Sequence, residues 1–511
     1  MAEQELFIDR ITTSYKPKGE SIYLGAGILD GEVIAQAEVN LALKMMNRHG
    51  LIAGATGTGK TRTLQLIAEQ LSDANVPVFM LDVKGDLSGL YEPGQSNAAL
   101  EERGEALGKP FIPAGFPIAL YSLSGQLGAP MRIRVDGFGP VLLARVLDLN
   151  DTQTGVLSVL FKYAEDQALP VVDLEDLKKL LNYLTSDEGA LEIKDDYGKI
   201  STSTSTTILR KVVALEQQGV GHIFGEPALI IDDLFERIDG KGVISLLNIA
   251  DVQDQPLLFS TFLLSLLSQL FEKMPEVGDP DKPKLIFFFD EAHLLFNGAS
   301  KTFLSKIEQI IRLIRSKGIG VFFCTQAATD VPDTVLGQLG NRVQHALRAF
   351  TPNDAEALRK TVKTYPHSDF YQIDRVLTSL GTGQALITVL NDKGIPTEVV
   401  ATHLIPPRAV MGPLDQATYN ALVQQSAIYA KYKDTINIKS ADDILSARSA
   451  NRKISEENAT SKKPSRSSAR ETPIEAMTKS ATRTLGREGI KFLAKLGTAV
   501  IAALISKKKK N

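Results

Sequence analysis

Gly54-Ala55-Thr56-Gly57-Thr58-Gly59-Lys60-Thr61 is a full G-x-x-x-x-G-K-T match. The apolar run Gly50 to Ala53 precedes it and an amphipathic stretch follows, so it stands at a strand-to-helix turn. Glycines at 54, 57 and 59 free the backbone to wrap a phosphate with its N–H groups, and the helix N-terminus adds a favourable dipole. In that setting Lys60 is expected to reach the β and γ phosphates of ATP and Thr61 to ligate Mg2+, with Ala55, Thr56, Thr58 and Thr63 completing the nucleotide-binding set. The competing reading, a glycine-rich turn that merely starts a helix, does not need this motif and these flanks together.

A phosphate loop needs a second site, an acid at the end of another strand that holds the metal's shell. Leu285-Ile286-Phe287-Phe288-Phe289-Asp290-Glu291 supplies it. Asp290 is expected to serve the Mg2+ shell and Glu291 to polarise the attacking water as general base. The alternative is a strand end capped by solvated acids. A glutamate beside the aspartate points to hydrolysis rather than transfer to a small acceptor.

The next apolar strand, Gly320 to Thr325, ends at Gln326, where an open α/β sheet places its ligand crevice. Gln326 is therefore the candidate γ-phosphate sensor, against the alternative of an ordinary polar residue opening a loop. Arg312 and Arg315 close the intervening helix. They fit either a finger supplied to a neighbouring subunit's phosphate or a solvated basic helix end that complements the dipole. Asp86, in Asp82-Val83-Lys84-Gly85-Asp86 after another strand, either positions water or metal or simply makes a turn.

Around these motifs, apolar runs alternate with helical patterns: His49 to Ala53, Thr61 to Leu71 and Val76 to Asp82 form a βαβ unit. Alternation resumes at Val243 to Asn248 and continues through Leu257 to Glu272, Leu285 to Phe289, Phe303 to Lys317 and Ile319 to Thr325. The fold class is α/β with a mainly parallel sheet. Residues 47–94 and 240–410 are assigned to the ATPase core, and 95–239, with helical periodicity, to a largely helical insertion. Residues 1–46 read as a small N-terminal β element. Gly383 to Leu390 and Pro396 to Thr402 flank Asn391-Asp392-Lys393-Gly394, which has hairpin-turn chemistry. A helical extension over 411–447, a disordered linker over 448–480 and a basic amphipathic tail over 481–511 follow. There is no internal repeat.

Composition sets the outer limits. At 511 residues the chain accommodates two or three domains. The net charge of −3 gives no global basic excess, so any DNA contact must be local. A single cysteine, Cys324, excludes a disulfide framework, no Cys/His cluster has zinc spacing, and the N-terminus lacks a secretory pattern. Together these point to a cytoplasmic setting. From Arg452 onward there are fifteen Lys/Arg against five Asp/Glu. Such a tail suits DNA phosphates, a peripheral membrane contact, or a helix docked on another subunit.

Taken together, NRHGLIAGATGTGKT, LDVKGDLSGL, LIFFFDEAH, IRSKGIGVFFCTQ, VLGQLGNRVQ and GTGQALITVL resemble the HerA–FtsK superfamily of motor ATPases, in particular its bacterial HerA-like (YjgR-like) branch. The likeness covers about residues 20 to 410. It implies a RecA-like core with a helical insertion, dependence on ATP and Mg2+, assembly as a homo-oligomeric ring (usually a hexamer), and double-stranded DNA threaded through the ring. By that resemblance Lys60 and Thr61 serve nucleotide and metal, Asp290 metal, Glu291 catalysis, Gln326 sensing and Arg315 the finger in trans. HerA proper works with a nuclease partner. The N-terminal element is shorter than a full HerA barrel, and the basic tail is not general to the superfamily. The letters DEAH at 290–293 do not make a superfamily 2 helicase, since no Ser-Ala-Thr motif follows, and His293 then reads as incidental. No Asn-Lys-x-Asp element supports GTP specificity. The rival functions are a related motor acting on protein and a nucleotide-regulated scaffold with slow turnover, the latter disfavoured by intact Lys60, Asp290 and Glu291.

Overall fold

Strand β3 (Gly50–Ala53) and the helix that follows the glycine-rich turn sit at the middle of one large sheet. The structure is a computed structural model that describes residues 2–219, 221–296 and 301–450. The expected linker from residue 451 on and the basic tail lie outside the described residues.

In chain order the strands are β1 (Ser21–Leu29), β2 (Glu32–Ala42), β3, β4 (Val78–Asp82), β5 (Ile118–Ser122), β6 (Ala129–Pro130) and a short pair, β7 (Arg237–Ile238) and β8 (Lys241–Gly242). They continue with β9 (Ile244–Asn248), β10 (Leu285–Phe289), β11 (Ile319–Thr325), β12 (Asn341–Gln344), β13 (Gln384–Thr388) and β14 (Val400–Leu404). The large sheet has the order β2-β1-β14-β13-β12-β3-β11-β10-β4-β9-β5-β6. From β12 to β6 every neighbouring pair is parallel, while β2, β1, β14 and β13 extend it as an antiparallel flank.

Helices on both faces explain why the central strands read as unbroken apolar runs. Alternate side chains point to opposite faces. Leu51, Phe79, Phe287, Phe289 and Phe323 enter one core, with the helices of the region after β6 and the Pro256–Lys273 and Lys301–Ile314 helices. Ile52, Met80, Phe288, Phe322 and Cys324 enter the other, with α1 (Ala2–Tyr15) and α2 (Lys60–Asp73). Phe287 stacks on Phe79 with ring centroids 4.3 Å apart, so the strands beneath the site lock to one another.

Two features depart from the sequence reading. The N-terminal element is not purely β: α1 precedes the hairpin, and β1 pairs with β14, so the hairpin extends the main sheet. The helix forms because Phe7, Ile11 and Tyr15, four apart, make one apolar stripe, and all three are buried. Gly27 faces that stripe, where a Cβ would come within 2.8 Å of the Phe7 ring. Likewise the stretch assigned to a helical insertion begins with α3 (Ala98–Ala106) but then contributes β5 and β6 to the sheet edge. Its later part is helical, with capping boxes at Asn150/Gln153 and Asp173/Asp176 fixing where two helices start.

Candidate functional site

Parallel strands put their C-terminal ends along one edge, and loops there converge. β3, β11 and β10 are adjacent, so the residues just past Ala53, Thr325 and Phe289 become neighbours. Those residues are the glycine-rich loop, Gln326, and the Asp290-Glu291 pair.

The loop is held open by its glycines. Gly57 and Gly59 have φ of 77° and 111°, a region that side chains with a Cβ rarely enter. At Gly54 the constraint is a close approach: a Cβ there would meet the Cβ of His345 at 2.5 Å. Lys60 Nζ donates to the carbonyls of Gly54 at 2.7 Å and Ala55 at 3.2 Å, so its ammonium lies across the loop's mouth. Ala55 and Thr56 form the turn, Thr58 Oγ1 donates to the Ala55 carbonyl at 2.7 Å, and Thr61 sits in the first turn of α2.

Asp290 is largely desolvated, which together with its neighbour Glu291 raises its pKa above the usual aspartate value. The Cys324 thiol and the Glu291 N–H, the latter at 2.9 Å, hydrogen-bond to it and work in the opposite direction. Cys324 lies within electrostatic reach of both Asp290 and Lys60, which places that aspartate and the loop lysine around one buried thiol. Burial pushes that thiol's own pKa well up, so it stays protonated and donates. Glu291 has a left-handed backbone, φ 50°, which costs energy for a residue with a Cβ. Its Oε2 is buried and has no hydrogen-bond partner among the described residues, while Lys84 Nζ lies 3.9 Å from Oε1 and His293 Nδ1 3.4 Å from Oε2. A buried, underused carboxylate oxygen is what a base awaiting a water's proton presents.

Gln326 is exposed and opens on a cleft of about 390 Å3 that Ala55, His293 and Arg348 also line. Asp330 fixes the loop after it by accepting from Thr325 Oγ1 at 2.5 Å and the Ala327 N–H at 3.0 Å. Arg315 stands elsewhere. It precedes β11, and with Arg312 it lines a different cavity at the strands' N-terminal ends. Asp86 is near Arg62 rather than the carboxylate pair, and the turn it sits in is made by Asp82, which accepts from the N–H groups of Gly85, Asp86 and Leu87.

Sequence reasoning missed three supports. His293 is not incidental, because it faces Glu291. Lys84 reaches the same carboxylate from β4's loop. His345 braces the phosphate loop: one ring nitrogen meets Thr63 Oγ1 at 2.9 Å, the other the Gln384 carbonyl at 3.0 Å, and its own N–H donates to the Ala53 carbonyl at 2.7 Å. The carbonyl partner requires Nδ1–H, so Nε2 accepts from Thr63. Thr63 Oγ1 also lies 3.3 Å from the Gly59 carbonyl, so it stands between the loop and His345. Burial lowers the His345 pKa to about 4, which keeps the ring neutral. Gly383 adds a direct tie, its N–H donating to the Thr58 carbonyl at 3.2 Å. His293 and Lys84 stood inside the quoted segments LIFFFDEAH and LDVKGDLSGL and Gly383 inside GTGQALITVL, while His345 follows VLGQLGNRVQ by one residue, where no phosphate-loop rule points.

Residues 29–505 match the family model described as Helicase HerA-like C-terminal. The chain is 24% identical over 379 residues to the DNA import protein CedB of Sulfolobus acidocaldarius, covering 73% of this chain and 55% of that protein. It thus spans little more than half of CedB's length. It is 20% identical over 376 residues to the DNA double-strand break repair helicase HerA of the same organism, covering 72% and 68%. Among solved structures it is similar to the plasmid coupling protein TrwB in complex with ADP and Mg2+, with a TM-score of 0.48 and 16% identity over 77% of this chain and 98% of that one.

Proposed function

From the premise that the chain belongs to the HerA-like C-terminal helicase family, we propose that it is an ATP hydrolase that works as a ring-forming motor on double-stranded DNA. The observation that carries the hydrolase reading is the convergence of the Gly54–Thr61 loop, Asp290, Glu291 and Gln326 on the C-terminal ends of three adjacent parallel strands. The DNA reading is supported by family membership and by relatives that are a DNA repair helicase and a DNA import protein.

The residues present fit ATP with Mg2+. The loop offers backbone N–H groups around Gly57 and Gly59, and Lys60 can turn from two loop carbonyls to phosphate oxygens. Among the described residues no group of three or more His, Cys, Asp or Glu could hold a metal by itself. Thr61 and Asp290 would therefore share Mg2+ with the nucleotide's own phosphates, as this reluctantly dehydrated ion commonly requires. When bound, Mg2+ neutralises charge developing on those phosphates.

Glu291 accepts the proton of the attacking water at Oε2, with His293 and Lys84 beside that carboxylate. Gln326 holds the γ-phosphate or the water through its amide, and reports hydrolysis through the Asp330-fixed loop. Arg315 is supplied to the nucleotide of a neighbouring copy, which assigns the active unit to a ring, taken as a hexamer. A nuclease partner, a peripheral membrane contact by the tail and a cytoplasmic location complete the proposal. Among the described residues no helix is long and apolar enough to cross a membrane.

Steady-state ATP hydrolysis with and without linear duplex DNA, at two salt concentrations, tests the motor reading. A several-fold, salt-sensitive stimulation is expected, because phosphate contacts weaken as salt rises. Hydrolysis indifferent to DNA at both salts would sink it.

A further inference from the structure

Glu291, the proposed base, stands with its free oxygen closed off from solvent. Oε2 is buried, and His293 Nδ1 lies 3.4 Å from it. His293 lines the cleft that Gln326 and Ala55 share, whereas Glu291 is not among the described residues that line it. Oε1 faces Lys84 instead. The Lys84 Nζ is 3.9 Å away, too long for a hydrogen bond but close enough for an ion pair.

Strand order gives that contact a direction. β10 lies between β11 and β4, and β3 with its phosphate loop lies beyond β11. At about 4.8 Å between neighbouring strands, the end of β4 is roughly 14 Å from the end of β3. A pull from Lys84 thus draws the carboxylate away from the phosphate loop. The anchor of that pull is rigid: Asp82 accepts from the N–H groups of Gly85, Asp86 and Leu87, and Gln253 Nε2 donates to the Val83 carbonyl at 2.6 Å. With its backbone so fixed, Lys84 moves only through its flexible four-carbon stem. Its side chain is 56% exposed against 16% for Glu291, so solvent meets the pair at the lysine. A pair this exposed is weak, and an anion arriving from solvent competes for it.

We propose that Lys84 is a positioning residue that holds Glu291 at rest, and that a phosphate of the DNA backbone frees the base by taking the Lys84 ammonium. The proposal rests on the DNA-motor reading above and deepens it, because it supplies the route by which DNA raises turnover. Duplex DNA carries about one negative charge per 1.7 Å of axis, and release of its counterions favours contacts with lysine. Once Lys84 is drawn off, no cation holds Oε1 on the β4 side, and the carboxylate swings past His293 into the cleft.

Steady-state ATP turnover of the full-length Lys84→Met chain, with and without linear duplex DNA, tests it. Without DNA the variant should turn over about fivefold faster than wild type, the lower end of coupling between two sites. Its KM for ATP and its thermal midpoint should stay level, and DNA should add little to its rate while it stimulates wild type. Lys84→Arg should stay closer to wild type than Lys84→Met, because it keeps the cation. A merely structural lysine would not raise turnover on removal. A DNA-free rate of Lys84→Met that is level with or below wild type therefore overturns the restraint. A raised DNA-free rate that DNA still stimulates in full overturns DNA as the releasing anion. Wild type indifferent to DNA would sink the motor reading together with that release, and the DNA-free comparison then still decides the restraint. Turnover surviving in Lys84→Met combined with Glu291→Gln would overturn the base that the latch is meant to hold.

Discussion

The two ends of the central sheet carry opposite chemistry. At the C-terminal ends of β3, β10 and β11 stand one lysine and two adjacent carboxylates, a set suited to a metal and a water. At the N-terminal ends of β3, β11 and β12 four arginines, Arg48, Arg312, Arg315 and Arg342, line a cavity with no acid among its lining residues. A parallel sheet forces this separation, because each strand has only one C-terminal end and all of them lie on one edge. Lys84 beside Glu291 and Arg348 in the cleft add positive charge at the first end, whereas the cavity at the second has no acid among its lining residues. Stacking copies head to tail would bring the two together, whereas a single subunit cannot.

The largest test of the contrast is at the acidic end. Glu291→Gln keeps the shape, donates no new charge, and removes the base. Turnover should fall roughly a hundred- to ten-thousand-fold while nucleotide binding survives. Unchanged turnover would remove Glu291 from the chemistry and leave the buried Oε2 unexplained. Asp290→Asn should instead weaken the Mg2+ dependence, read as a higher metal concentration for half-maximal rate; a shift in nucleotide affinity without a metal shift would reassign it.

Much of the acidic end was legible in the sequence. A phosphate loop is a local device, with glycines, lysine and helix start all within eight residues, and an acid after a run of five apolar residues is equally local. Strand adjacency is not local, so which side chains brace the loop could not be read. His345 lies over 280 residues from Thr63, and its role depends on β12 pairing beside β3. The arginine-lined cavity at the other end was half legible: Arg312 and Arg315 stand three apart, but Arg48 and Arg342 join them only because β3, β11 and β12 start on the same edge. Helix α1 was missed although its stripe Phe7, Ile11, Tyr15 was in view, since the nearby glycine-separated strand pieces drew the whole segment into one β reading.

Each end also rests on one buried neutral histidine, His345 below the loop and His49 below the arginines, and burial lowers the pKa of both to about 4. Their folded pKa lies below the unfolded value of 6.5. The stability they contribute is thus present above pH 6.5 and lost as pH falls towards 4, because the unfolded chain binds the proton first. At pH 5 each should have forfeited roughly 2 kcal/mol. His49→Asn and His345→Asn should be destabilised at pH 7.5, and the gap in thermal midpoint to the wild type should shrink at pH 5. A gap constant with pH would mean that neither ring is buried neutral. If only His345→Asn also raises KM for ATP, the two ends are supported separately.

The smallest expected effect falls on Gln326, and it decides how far the acidic end extends. Its side chain is exposed in the cleft shared with Ala55 and His293, while Asp330 fixes the backbone on either side of it. If Gln326 merely opens a loop, Gln326→Ala should change nothing, because the Thr325–Asp330 and Ala327–Asp330 bonds survive. If its amide meets the γ-phosphate or the water, the variant should lose about tenfold in turnover, the value of one well-placed polar contact to a charged group. Nucleotide binding and thermal midpoint should stay level. Gln326→Glu should be worse than alanine, since a carboxylate beside phosphate oxygens repels them, and that ordering separates a phosphate contact from lost packing. Alanine and glutamate variants of equal activity would confine the chemistry to Lys60, Thr61, Asp290 and Glu291.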